Sequence, residues 1–168
     1  MQVLVTGATG FVATHLVPVL ASRGDTVFAL GHHGERLARF APADEVRTIV
    51  ADLRARDVAT LLPESIDAVV HLAQANVPFP DGAADLWEVN AGSTARLLDW
   101  ARRAGAHTFV LASTGSVYGT GDRPWSEGDP VAGVGAYPAT KVAAERILGA
   151  YAPRSEEHTS ELQSPMYL

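Results

Sequence analysis

The chain has 168 residues, 47% of them hydrophobic and 19% charged. That balance supports one folded domain with its own core and excludes a disordered chain. The net charge of −6 argues against a partner held through phosphates, so no nucleic acid is expected. With no cysteine there are no disulfides and no thiolate metal site. No metal is expected, and the composition fits the cytoplasm. No uninterrupted apolar run reaches about 18 residues and no basic leader opens the chain, so neither a membrane span nor a signal peptide is expected.

Residues 2–6, Gln-Val-Leu-Val-Thr, form an apolar, β-branched run that reads as a buried strand. Gly7, Gly10 and Ala13 then mark a turn, and Phe11, Val12, His15, Leu16, Val19 and Leu20 fall at helical spacing. Strand, glycine turn and helix start in this order suit a pyrophosphate, held by bare N–H groups at the positive end of the helix dipole. Gly7, Thr9, Gly10, Phe11 and Val12 are therefore candidate cofactor contacts; an ordinary βα turn without a nucleotide is the alternative. Gly24 sits where a helix stops, and residues 26–30 read as a second strand. That strand is followed by Gly31-His32-His33 and then Arg36, with no acid to bind ribose hydroxyls. His32 or Arg36 would tolerate the 2′-phosphate of NADP, and a plain solvated loop is the alternative.

Residues 45–51 read as a third strand closing on Asp52-Leu53. Asp52 could also cap a short helix over 58–62. Residues 66–73 form a fourth strand, in which His71 alternates with apolar neighbours as a core histidine does. One long helix is expected over residues 81–105. Leu86, Asn90, Leu97 and Ala101 share a face of it, so Asn90 must find buried hydrogen-bond partners. A fifth strand over 108–113 leads into Thr114-Gly-Ser-Val-Tyr118-Gly119. A Gly/Pro/Asp-rich loop follows to residue 135, of the kind that covers ligands. Gly135-Ala136-Tyr137-Pro138 opens a last helix. On it, Tyr137 and Lys141 lie one turn apart on one face, where an ammonium would favour the phenolate and make Tyr137 a usable proton acceptor.

Taken in order, T-G-A-T-G-F-V-A, Asp52-Leu53, His71-Leu72-Ala73, Val89-Asn90, T-G-S-V-Y-G and Y-P-A-T-K-V-A-A-E resemble motifs of the extended short-chain dehydrogenase/reductases. These are the NAD-dependent epimerases and dehydratases of nucleotide sugars, and the resemblance covers residues 1 to about 150. Ala13 departs mildly from the family's third glycine. The resemblance implies an α/β fold with a Rossmann-like, doubly wound parallel sheet, ending here after about five strands. It implies NAD or NADP as cofactor, a small-molecule substrate such as a nucleotide sugar, and a homodimer in a full-length protein. It assigns Asp52 and Leu53 to the adenine, and Leu72 and Ala73 to the segment beside the nicotinamide ribose. Asn90 would hold backbone near the active site, and Lys141 would bind the ribose. Thr114, Tyr137 and Lys141 would form the catalytic set.

Dehydratases of the family carry an Asp-Glu pair where Gly115-Ser116 stands, so epimerisation or carbonyl/alcohol redox is expected instead. A non-catalytic dinucleotide sensor of the same fold is the alternative function; the intact Thr114, Tyr137 and Lys141 favour the enzyme. Residues 154–168 lack strand or helix periodicity, and Arg-Ser-Glu-Glu-His-Thr-Ser-Glu-Leu-Gln-Ser resembles a translated sequencing adapter. The expected organisation is an incomplete dinucleotide-binding domain over 1–153, a non-native or disordered tail over 154–168, and no substrate domain.

Overall fold

The computed structural model describes residues 1–40 and 43–152. The expectation for residues 154–168 falls outside them. Five strands form one parallel sheet in the order β3-β2-β1-β4-β5: β1 Gln2–Thr6, β2 Thr26–Gly31, β3 Val46–Val50, β4 Ala68–His71 and β5 Thr108–Leu111. Helices α1 (Phe11–Ser22), α2 (Gly34–Leu37), α3 (Ala83–Trp87), α4 (Ser93–Arg103) and α5 (Ala136–Tyr151) connect or flank them. β1 is central, pairing Val3 with Val27 on one side and with Ala68 on the other. Its apolar run is needed because both of its faces are covered.

Side-chain alternation divides the core. Leu4 joins Phe28, Leu30, Val69, Leu97 and Trp100 on one face of the sheet. Val3 and Val5 join Val17, Leu20, Val27 and Leu37 on the other. Gly24 ends the first helix with φ +80°, as its placement in the sequence predicted. No helix among the described residues is long and apolar enough to cross a membrane.

The expected single helix over 81–105 is interrupted. Between α3 and α4, residues Glu88–Gly92 form a π turn. Ser93 Oγ donates to the Val89 carbonyl at 2.5 Å and Thr94 Oγ1 to the Asn90 carbonyl at 2.7 Å, so hydroxyls take up carbonyls where the ladder changes step. Asn90, Ser93 and Thr94 all end up buried. The chain runs β1-β2-β3 to one edge and then returns to place β4 and β5 beyond β1. The reversal lies between β1 and β4, and there the connections that follow the two strands diverge to leave a crevice.

Candidate active site

The crevice is a cavity of about 690 Å³. Gly7, Gly10 and Val12 line one end of it, His32, Asp52 and Leu53 another, and Ala73 and Gln74 the wall formed after β4. Gly7 has φ +66°, and a Cβ there would stand 2.7 Å from the Ala73 nitrogen. Only glycine lets the ends of β1 and β4 approach this closely. At Gly10 a Cβ would lie 3.1 Å from the Gly7 carbonyl oxygen. Helix α1 begins on Gly10 with no side-chain cap and no acid in its first turn. Its first amides and the positive end of its dipole therefore face the cavity without a neutralising carboxylate. This chemistry fits the diphosphate of a dinucleotide.

Thr9, Phe11 and Leu72 also line the cavity; Arg36, Asn90, Thr114, Tyr137 and Lys141 do not. Arg54, which the sequence did not single out, stands at the rim instead. It binds Asp52 through Nε and Nη2, at 2.9 and 2.7 Å to Oδ2, and reaches Asp85 Oδ1 through Nη1 at 2.7 Å. These hydrogen bonds hold the Asp52 carboxyl below the usual carboxylate range. Asp52 is thus engaged by Arg54 rather than capping the short 3₁₀ turn Val58–Leu61, which follows Asp57.

Behind the cavity, His71 is fully buried. Thr6 Oγ1 lies 2.6 Å from Nδ1 and Ser93 Oγ 3.4 Å from Nε2. The Ser93 hydroxyl proton already serves the Val89 carbonyl. Ser93 therefore accepts from Nε2–H, and Thr6 donates to Nδ1. Thr6 Oγ1 in turn accepts from the Ala73 amide at 3.2 Å, which anchors the end of β4. Burial, with help from the Lys141 charge, holds the imidazole pKa down to about 3. His71 is the neutral core histidine its alternation suggested. Asn90 also behaves as its apolar surroundings demand. Its Oδ1 accepts from the Ala75 amide at 2.8 Å, and its Nδ2 donates to the Ala75 carbonyl and to Thr140 Oγ1, both at 3.0 Å. One side chain thus ties the segment after β4 to α5.

Thr114 and Tyr137 meet where the chain after β5 reaches α5, while Lys141, one turn further along α5, faces the Ala112 carbonyl. The Tyr137 hydroxyl donates to Gln74 Oε1 at 2.6 Å. Thr114 Oγ1 lies 3.0 Å from Ser116 Oγ and also influences the Tyr137 hydroxyl. Lys141 is 1% exposed and donates from Nζ to the Ala112 carbonyl at 2.6 Å. One turn further on, Glu145 accepts from Ser113 Oγ, so α5 is joined to two consecutive residues of the cavity wall. Burial pushes the Lys141 pKa down to about 8, and Glu145 opposes that shift.

The expected lowering of the phenol is reversed. Burial pushes Tyr137 above its usual value, and the Thr114 hydroxyl draws it back only in part. The ammonium that was to stabilise the phenolate is engaged by the Ala112 carbonyl. Gln74 and Glu145 carried no signal in spacing, because their partners lie 63 and 32 residues away in sequence.

Residues 3–159 match the model of the NAD dependent epimerase/dehydratase family. The chain is 36% identical to the UDP-glucose 4-epimerase of Mycolicibacterium smegmatis, over 90% of this chain and 51% of the relative. It is 33% identical to a low-salt glycan biosynthesis protein of Haloferax volcanii, over 90% and 52%. Among solved structures, UDP-glucuronic acid 4-epimerase of Bacillus cereus in complex with NAD superposes with a TM-score of 0.81 at 26% identity, over 90% of this chain and 51% of that one. MoeE5 in complex with UDP-glucose and NAD gives 0.78 at 34% identity, over 92% and 50%. The chain spans about half the length of these relatives. With its five-stranded parallel sheet, its glycine turn and its matched motifs, the chain belongs to the NAD dependent epimerase/dehydratase family.

Proposed function

We propose that residues 1–153 are the cofactor-binding half of an epimerase or carbonyl/alcohol oxidoreductase acting on a nucleotide sugar, with Thr114, Tyr137 and Lys141 as its catalytic set. The carrying observation is that the Tyr137 hydroxyl meets Gln74, a residue of the same cavity wall that faces the glycine turn. NAD, when bound, would supply hydride acceptance and return at its nicotinamide ring. The rest belongs to the chain. The first amides of α1 hold the diphosphate, and Gly7 and Gly10 keep that surface bare. His32, Asp52 and Leu53 receive the adenosine end, while Leu72 and Ala73 line the ribose side. Thr114 orients the reacting oxygen, and Tyr137 exchanges a proton with it. Lys141, behind the wall, holds the Ala112 carbonyl and so fixes α5 against the end of β5. Gly115 and Ser116 offer no carboxyl pair to eliminate water, which favours epimerisation or redox over dehydration.

Charge at the rim supports a reading of the cofactor as NAD. Arg54 is bonded to both Asp52 and Asp85, and Arg36 does not line the cavity. One net negative charge remains among these three groups, which opposes a 2′-phosphate and favours NAD over NADP. In a protein of the relatives' full length, Tyr137→Phe is expected to lower turnover of UDP-glucose by about 10²- to 10⁴-fold and to leave NADH binding unchanged. Undiminished turnover contradicts the assignment. Long-read sequencing of the source DNA across codon 153 tests the proposed boundary: a frame that continues into a further strand supports it, and a confirmed tail refutes it.

A further inference from the structure

Gln74, which lines the cavity wall after β4, is the residue that Tyr137 touches. The phenol donates to Gln74 Oε1 at 2.6 Å. An amide oxygen accepts a hydrogen bond but cannot donate one, so this contact stabilises the neutral phenol and is lost when the phenol ionises.

We propose that Gln74 is a positioning residue for Tyr137: its amide oxygen holds the phenol proton and so fixes the hydroxyl against the cavity wall that Gln74 lines. The inference rests on the catalytic reading of Tyr137.

Burial already favours the neutral phenol, and the charged and polar groups around it are mostly committed elsewhere. From α5 itself, Lys141 donates its Nζ to the Ala112 carbonyl. From β4, His71 is buried and neutral. From the π turn, the Asn90 amide is committed to Ala75 and Thr140. Asp85 of α3, on the same cavity, is bonded to Arg54. From the end of β5, the Thr114 hydroxyl is the opposing influence, drawing the phenol toward ionisation. Gln74 is exposed, so its replacement disturbs no core packing.

The test introduces 3,5-difluorotyrosine at position 137 of the chain, a phenol that ionises nearer neutrality, and follows its titration by ¹⁹F NMR. Gln74→Ala is expected to lower the apparent pKa by about half to one pH unit, the worth of one lost hydrogen bond. Gln74→Leu, which keeps bulk without an acceptor, is expected to do the same. Gln74→Glu is expected to raise it, because a carboxylate accepts more strongly and repels the phenolate. An unchanged pKa in both Gln74→Ala and Gln74→Leu overturns the proposal. A rise in those two variants also overturns it, since it would mean that the amide N–H faces the phenolate. This titration reads the Gln74 contact whether or not Tyr137 is catalytic. Undiminished turnover of Tyr137→Phe in the full-length protein overturns the underlying reading separately, and the positioning role with it.

Discussion

Gly7→Ala perturbs the point on which the crevice depends. At φ +66° an alanine is held in the left-handed region, at about 1–2 kcal/mol. Its Cβ would also meet the Ala73 nitrogen at 2.7 Å and the Leu72 carbonyl carbon at 2.9 Å. Both are backbone atoms, so β1 and β4 must separate locally. Overpacking of this kind adds about 1–3 kcal/mol. The expected total is about 2–5 kcal/mol, or a fall in Tm of roughly 5–15 °C for a domain of this size. Gly24→Ala is the control: its φ is +80° and nothing lies within 4 Å of the added Cβ, so only the strain applies. Urea unfolding of both variants isolates the clash as the excess of Gly7→Ala over Gly24→Ala. Equal losses would refute the argument that close approach of β1 and β4 fixes the glycine. So would a Gly7→Ala chain that binds NADH as tightly as the parent.

Asn90→Ala leaves the Ala75 amide, the Ala75 carbonyl and Thr140 without their shared partner, and urea unfolding is expected to show a loss of about 2–4 kcal/mol. Lys141 titrates near 8 in the folded chain against an ordinary 10.5. Between those values the unfolded chain binds the extra proton, so stability rises with pH through this window, by up to about 3 kcal/mol. Lys141→Met is expected to flatten that rise, and a pH profile matching the parent's would contradict it. His71 titrates near 3 against 6.5. Its contribution is complete above about pH 6.5 and is lost as pH falls, by about 2 kcal/mol at pH 5. His71→Gln should lack that acid-dependent loss. Direct titration should also show NADH binding more tightly than NADPH, with the difference shrinking in high salt and in the double variant Asp52→Asn, Asp85→Asn.

Much of this architecture was legible because its causes are local. The β-branched run before Gly7, the change of period at Phe11, the stop at Gly24 and the opening of α5 at Gly135 to Pro138 each announce themselves within a few residues. Asn90 was legible for a different reason: a lone amide on an apolar helix face has to be satisfied, and it is. The π turn was hidden because the hydroxyls of Ser93 and Thr94 carry no periodic signal. Arg54 with Asp85, and Tyr137 with Gln74, were hidden because their partners meet only through the fold. The protonation of Tyr137 misled the sequence reading for the same reason. Spacing put Lys141 near the phenol, but only the fold reveals that its ammonium faces the Ala112 carbonyl and that burial dominates.

The most direct test titrates the folded chain with NADH and follows nicotinamide fluorescence, including energy transfer from its tryptophans. Saturable one-to-one binding that is lost in Gly7→Ala and kept in Tyr137→Phe is the predicted result. A folded chain that gives no saturable signal, or one that Gly7→Ala leaves intact, would contradict the claim that the crevice between β1 and β4 is a dinucleotide site.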